Sequence, residues 1–213
     1  MHDIPVFTGK LRFDLNKIYV KIKNITQNYL FLKKWLLFEK ALSEEINLPN
    51  ISMGIQIKTN FEETCNWIDK IFYPSGKIPD GEMLERIYAK KFNHIFFSIW
   101  HEEKIIGFSK VGFNKVYINS LKKVFPLPPK TALVLAIFVL PDYRGKGVGL
   151  YTYLYIFNYL KKKGFNKVRA QINPNNIPAK KVAIKAGFHQ ITNFWQIRIL
   201  NWNIISIDFS DEF

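Results

Sequence analysis

The chain has 213 residues, 48% of them hydrophobic and 16% aromatic, which excludes a disordered polymer and suits one domain with a sizeable core. Its 31 Lys and Arg against 17 Asp and Glu give a formal charge of +14, which favours anionic partners without choosing between a phosphorylated cofactor, nucleic acid, an acidic carrier protein and an anionic membrane surface. Cys65 is the single cysteine, so no internal disulfide exists and a reducing compartment is expected. The start, MHDIPVFTGKLRFD, has no apolar signal core, and no apolar run approaches the roughly 18 residues of a membrane span. A cytoplasmic location is the expectation.

Residues 1–50 read as an N-terminal extension. Within it Phe31, Trp35, Phe38, Leu42 and Ile46 recur at helical spacing with lysines between them, which predicts an amphipathic helix. Residues 51–213 read as the main domain. ISMGIQIKT predicts a strand. NFEETCNWIDKIF predicts a helix opened by Asn60, with Glu63 three residues later as in a capping box. Pro74, Gly76, Pro79 and Gly81 break it, and EMLERIYAKKF predicts a second helix. HIFFSIW, HEEK and IIGFSKVGF together predict a hairpin. A long basic, aromatic loop over residues 112–130 follows, and TALVLAIFVL, apolar on both faces, predicts a central strand. After a glycine-rich loop, Tyr151 to Leu160 predicts a buried helix ended by KKK and Gly164. KVRAQI then predicts a strand, IPAKKVAIKA a helix closed by Gly187, and the apolar segments up to Phe209 two last strands. The fold class is α/β, a mixed central sheet flanked by helices.

The glycine-rich loop, VLPDYRGKGVGL, carries the chemistry. Gly145, Gly147 and Gly149 alternate beside Arg144 and Lys146, between a buried strand and a helix start. Free amides and the positive end of the helix dipole make such a place an anion site, and glycine lets a phosphate approach the backbone without a Cβ in the way. A dinucleotide fingerprint fails because Leu150 stands where its third glycine belongs, and no Gly-Lys pair is followed by Ser or Thr as a Walker loop needs. From the loop alone, a plain turn and an anion cradle both remain open.

With its context, Val139-x-Pro141-x-x-Arg144-x-x-Gly147-x-Gly149 after a buried strand, then Asn176-x-x-Ala179 and Ala186-Gly187-Phe188, resembles the GNAT acyltransferase superfamily. The resemblance covers residues from about 51 to 200 and leaves the first fifty unexplained. It implies a GNAT fold and an acyl-coenzyme A co-substrate, acetyl-CoA most often in this superfamily. Backbone groups of Ile137, Phe138 and Val139 would pair with the pantetheine arm. Amides across Arg144, Gly145, Lys146, Gly147, Val148, Gly149 and Leu150 would hold the pyrophosphate. Asn176 would contact the cofactor further along, and Lys181 or Lys185 could reach phosphate.

The pattern also departs from the family. Ala183 stands where many members carry a tyrosine as general acid, and Leu133 where many carry a glutamate as base. Tyr151, Tyr153 and Tyr155 are nearby substitutes, with core packing as their alternative role. His2, His94, His101 and His189 lack metal-ligand spacing, so no metal is expected, and Cys65 reads as an apolar filler. The catalytic residues stay unassigned. Three readings follow: an N-acyltransferase moving an acyl group to an unidentified small-molecule or protein amine; a weak or inactive acyl-CoA-binding module acting through an anionic partner; and an acyltransferase fed by an acyl-carrier protein. The acceptor site is expected between the first two helices, the 112–130 loop and the last strands. No specific nucleic acid is expected, and the apolar WNIISIDF suggests an edge strand able to pair in a homodimer.

Overall fold

The computed structural model describes residues 30–43, 46–49, 53–199 and 202–208. The elements in chain order are β1 (Leu30–Ala41), β2 (Ile55–Thr59), α1 (Phe61–Phe72), α2 (Asp80–Lys91), β3 (Ile95–His101), β4 (Lys104–Phe113), β5 (Lys115–Ile118), β6 (Lys123–Pro126), β7 (Thr131–Val139), α3 (Val148–Lys162), β8 (Lys167–Ile172), α4 (Ile177–Lys185), β9 (His189–Ile199) and β10 (Trp202–Asp208). Eight strands form one sheet in the order β10-β9-β1-β8-β7-β4-β3-β2, and β5 pairs with β6 apart from it. Its pairings are antiparallel except β7 with β8, which α3 joins as a crossover.

The helix expected across Phe31 to Ile46 is instead a strand. Residues 30–41 form β1, hydrogen-bonded to β8 on one side and β9 on the other. The physical reason is position. Trp35, Leu36 and Phe38 are all buried, because an inner strand is covered on both faces and needs no polar alternation. A dense apolar run of that kind also matches helical spacing. The same strand buries Glu39, whose carboxylate is 2.8 Å from Arg169 Nε and 3.0 Å from Lys167 Nζ on β8. Burial pulls Glu39 upward, but hydrogen bonds and charges from Arg169 and Lys167 outweigh it and hold the carboxyl below its ordinary range. Residues 1–29 lie outside the described part, and β10 stands at one edge of the sheet.

The elements expected after residue 51 form, and the segment 112–130, expected as a loop, also carries β5 and β6. Asn60 caps α1, its side chain accepting from the Glu63 amide at 3.1 Å. The main core lies on the face covered by α3 and α4, where Phe97, Ile99, Val111, Ile156, Phe157, Leu160 and Val168 are fully buried. On the opposite face lie α1 and α2 and the β5–β6 hairpin, the ordered part of the 112–130 loop. His94 fastens the base of that hairpin: its Nε2 lies 3.2 Å from Phe113 O and 3.0 Å from Lys115 O.

Candidate active site

The site begins where the sheet divides. β7 pairs with β8 only over Thr131–Val134, opposite Lys167–Ala170, although β7 continues to Val139. Its other edge stays paired with β4 as far as Val139 opposite Gly107. The register with β4 shifts between Lys110 and Val111, leaving Leu135 as the extra residue of a bulge. A bulge bends its strand, and this one falls where β7 parts from β8. From Leu135 to Val139 one edge of β7 therefore faces no strand, and these residues are half-buried rather than buried. Gly107 allows the close approach of β4, since a Cβ there would meet Phe138 O at 2.3 Å.

At the far end of that open edge a short turn leads into α3. Gly147, at φ 81°, precedes the helix, and no side chain caps it. The Tyr151 amide makes the first bond back to Gly147 O at 3.0 Å. The amides of Gly147, Val148, Gly149 and Leu150 thus open the helix with no intrahelical acceptor. Gly145 is at φ 75°, with open space where a Cβ would stand. No acidic residue lies in the first turn, and 144–147 are exposed. The Arg144 amide is engaged by Pro141 O at 3.0 Å, and its side chain donates from Nε to Val139 O at 2.9 Å over the Phe138 ring. Arg144 therefore ties the strand end to the turn. Lys146 Nζ stands 5.6 Å over the Tyr143 ring. Asn176 caps α4, accepting from the Ala179 amide at 3.2 Å. Gly149 faces α4, its Cβ position an ordinary contact distance of 3.6 Å from Val182 Cγ1.

On the opposite face a cavity of about 210 Å³ reaches the same division of the sheet. Its lining includes Val134, Leu135 and Gln171, which flank the point where β7 leaves β8, together with Trp35, Leu133, Ser120 and Glu85. The hairpin side is held by Gln196, fully buried, which accepts from Trp35 Nε1 at 3.2 Å and donates to Ser120 O at 2.9 Å. Of the elements expected around an acceptor, α2 and the 112–130 segment line the cavity, while β9 supports it from behind through Gln196.

The proton carriers sought in the sequence are not where the family pattern would put them. Leu133 lines the cavity as an apolar wall, and Ala183 is fully buried. Tyr153 packs between Phe157 and Phe188, and burial pushes its hydroxyl up to about 12. Tyr155 meets Phe97 edge-on. Cys65 is buried, which pushes its thiol up to about 11. Among the described residues no group of three metal-ligating side chains occurs.

Sequence reasoning missed Glu85. Helix α2 turns Glu82, Glu85 and Ala89 toward the sheet and leaves Met83, Leu84 and Ile87 exposed. Lys110 of β4, itself buried, donates to Glu82 Oε1 at 2.8 Å and Oε2 at 2.9 Å. Arg86 joins Glu82 Oε1 at 3.0 Å and grips Asp69 of α1 at 3.0 and 2.6 Å. Glu85 Oε1 is 2.9 Å from the same Lys110 Nζ, an ion pair that it shares with Glu82. Burial raises the Glu85 carboxyl above its ordinary range; the Lys110 charge opposes this and Glu82 adds to it. The signal for this in the sequence was two glutamates three apart on one helix.

A model of the acetyltransferase (GNAT) family matches residues 61–188. The chain belongs to this family. A search of curated proteins finds no match. Among solved structures, a GCN5-related N-acetyltransferase from Sphaerobacter thermophilus is similar at 12% identity and a TM-score of 0.56, over 87% of this chain and 58% of that one. A GNAT-family acetyltransferase from Colwellia psychrerythraea is similar at 16% identity and 0.54, over 87% of this chain and 62% of that one. A glucosamine N-acetyltransferase region of a fungal multi-domain GH3 β-N-acetylglucosaminidase is similar at 7% identity and 0.58, over 92% of this chain and 25% of that one. The chain thus spans less than two thirds of each of these relatives. The likenesses give the fold: this is a GNAT domain, and its sheet, crossover and loop belong to that architecture. Among the described residues no helix is long and apolar enough to cross a membrane.

Proposed function

We propose that this GNAT domain is an acyl-CoA-dependent N-acyltransferase, acetyl-CoA being the expected donor, in which an amine attacks the thioester directly. One observation carries the reading: the unpaired edge of β7 runs from its parting with β8, which the opposite-face cavity reaches, to the turn whose free amides open α3. The amides of Gly145 to Leu150 receive the pyrophosphate, where the helix dipole and the absence of acidic residues favour an anion. The backbone of Ile137, Phe138 and Val139 receives the neutral pantetheine arm, which needs directional hydrogen bonds rather than charge. Asn176, with its oxygen committed to the cap, offers its amide nitrogen to the cofactor. The thioester then lies in the division, reachable from the cavity, so the reaction gains from fixed proximity and from amides placed to polarise the carbonyl.

The competing reading, a binding module without turnover, draws on Leu133 and Ala183, which remove the two proton carriers common in the family. Isothermal titration with CoA, acetyl-CoA and longer acyl-CoAs, with Gly147→Glu as control, tests the donor site. Micromolar binding lost in the variant supports it, and no binding of any acyl-CoA refutes it. Acyl-CoA binding without product from any amine favours the module instead.

A further inference from the structure

The cavity beside the divided strands holds one carboxylate that nothing among the described residues fully answers. In the network around it three acids, Asp69, Glu82 and Glu85, face two cations, Arg86 and Lys110. Asp69 takes both terminal nitrogens of Arg86, and Glu82 takes Arg86 Nε and both bonds from Lys110. The shortfall of one positive charge falls on Glu85, whose 2.9 Å contact from Lys110 at Oε1 is shared with Glu82 and which is 8% exposed. It is also the one member of the network that lines the cavity.

A buried carboxylate without a full partner is costly, and a ligand that brings the missing charge is favoured accordingly. Resting on the reading of the domain as an N-acyltransferase, we infer that the cavity binds a compact primary amine carrying a single positive charge, and that Glu85 takes its proton before it attacks the thioester. The rest of the lining sets the body of the amine. Trp35, Leu133 and Leu135 offer apolar walls, and Ser120 and Gln171 offer neutral polar groups. About 210 Å³ is below the roughly 300–1,000 Å³ of drug-sized sites, so the part of the acceptor seated there is small. A second positive charge on the acceptor would find no free carboxylate among the described lining residues. The overall charge of +14 does not oppose this, because fields of exposed charges fade over about 8 Å at physiological salt while the buried network acts at contact.

The ammonium gives one proton to the Glu85 carboxylate and becomes a neutral amine. Its lone pair forms the C–N bond to the acyl carbon, and the C–S bond breaks with its pair on sulphur. The second N–H proton passes to that sulphur, so the products are an amide and a thiol, and Glu85 returns its proton to water. The groups acting on Glu85 are Glu82 and Arg86 on α2 and Lys110 on β4, with Asp69 of α1 paired to Arg86, and Tyr117 on β5, whose hydroxyl is raised by burial and by Glu85. The upward displacement of Glu85 by burial brings it nearer a working base at neutral pH.

The test uses acetyl-CoA with tyramine (one charge), spermidine (several) and aniline (neutral) as acceptors, on the wild type and Glu85→Gln. Wild type is expected to prefer tyramine at least tenfold in kcat/KM over both others, with a kcat/KM level across neutral pH and falling in acid. Glu85→Gln is expected to bind acetyl-CoA as the wild type does and to lose about 10²–10⁴ of tyramine kcat/KM. Its residual rate should climb about tenfold per pH unit as free amine appears, a change of profile that a merely structural residue would not give. A variant within threefold of wild type with the same pH profile overturns the role of Glu85. Equal or better rates with spermidine or aniline overturn the substrate class, and this arm stands even if the variant does not fold. Acetyl-CoA binding with either of those failures leaves the transferase reading intact, whereas no acetyl-CoA binding removes both.

Discussion

Two glycines at opposite ends of α3 separate backbone strain from the loss of an anion cradle. Gly145 lies at φ 75° before the helix and Gly164 at φ 82° after it, and a Cβ at either meets nothing within 4 Å. Alanine in this left-handed region costs about 1–2 kcal/mol at each position. With no clash to add, Gly145→Ala and Gly164→Ala should lose stability about equally. At about 2–4 °C per kcal/mol for a chain of this size, both melting temperatures should fall by roughly 2–8 °C. Binding should divide them. Gly145 stands among the amides proposed to hold pyrophosphate, so the added methyl and the altered turn should weaken CoA at least tenfold, about 1.4 kcal/mol. Gly164 is at the other end of the helix and should leave CoA affinity unchanged. Thermal melts and isothermal titration of both variants read the two effects. Equal weakening of CoA by the two substitutions, or none by Gly145→Ala, would refute the assignment of the cradle.

Other consequences follow from single contacts. Asn60→Ala removes the cap that accepts from the Glu63 amide and should cost about 1 kcal/mol, seen as a lower melting temperature with CoA affinity unchanged. Ala183→Tyr would supply the hydroxyl common in the family, but the site is fully buried, so the variant should lose about 1–3 kcal/mol in a denaturant titration and gain no activity. Glu39→Gln should destabilise at pH 7, because the native carboxyl titrates lower than the unfolded one. The difference is complete above about pH 4.5, the ordinary value, and closes as the pH falls through the depressed native value; a difference growing in acid would contradict the Arg169 and Lys167 pairing.

The part of the fold from β2 onward was legible because its signals are local. Asn60 with Glu63, the turn at HEEK and Gly164 after three lysines each fix an element end by backbone chemistry that neighbours do not override. β1 was not legible. Its apolar run acquires strand identity only from β8 and β9, which lie more than a hundred residues away in the chain, as Phe38 opposite Ala170 shows. The glycine loop could be read as an anion site from its residues, but the division of the sheet behind it could not. That division depends on a bulge at Leu135 and on pairing that ends at Val134, neither of which leaves a mark in an unbroken apolar strand. Glu85 was hidden for another reason. The pattern of α2 puts Met83, Leu84 and Ile87 inside, and only the buried Lys110 on β4 reverses it by drawing Glu82 and Glu85 inward.

The most direct test is a crystal structure of the protein with acetyl-CoA. The account predicts the pyrophosphate on the amides from Gly145 to Leu150, the pantetheine arm along the backbone of Ile137 to Val139, and the thioester carbonyl in the division between β7 and β8, open to the cavity lined by Glu85. Acetyl-CoA bound elsewhere, or a thioester walled off from that cavity, would contradict it.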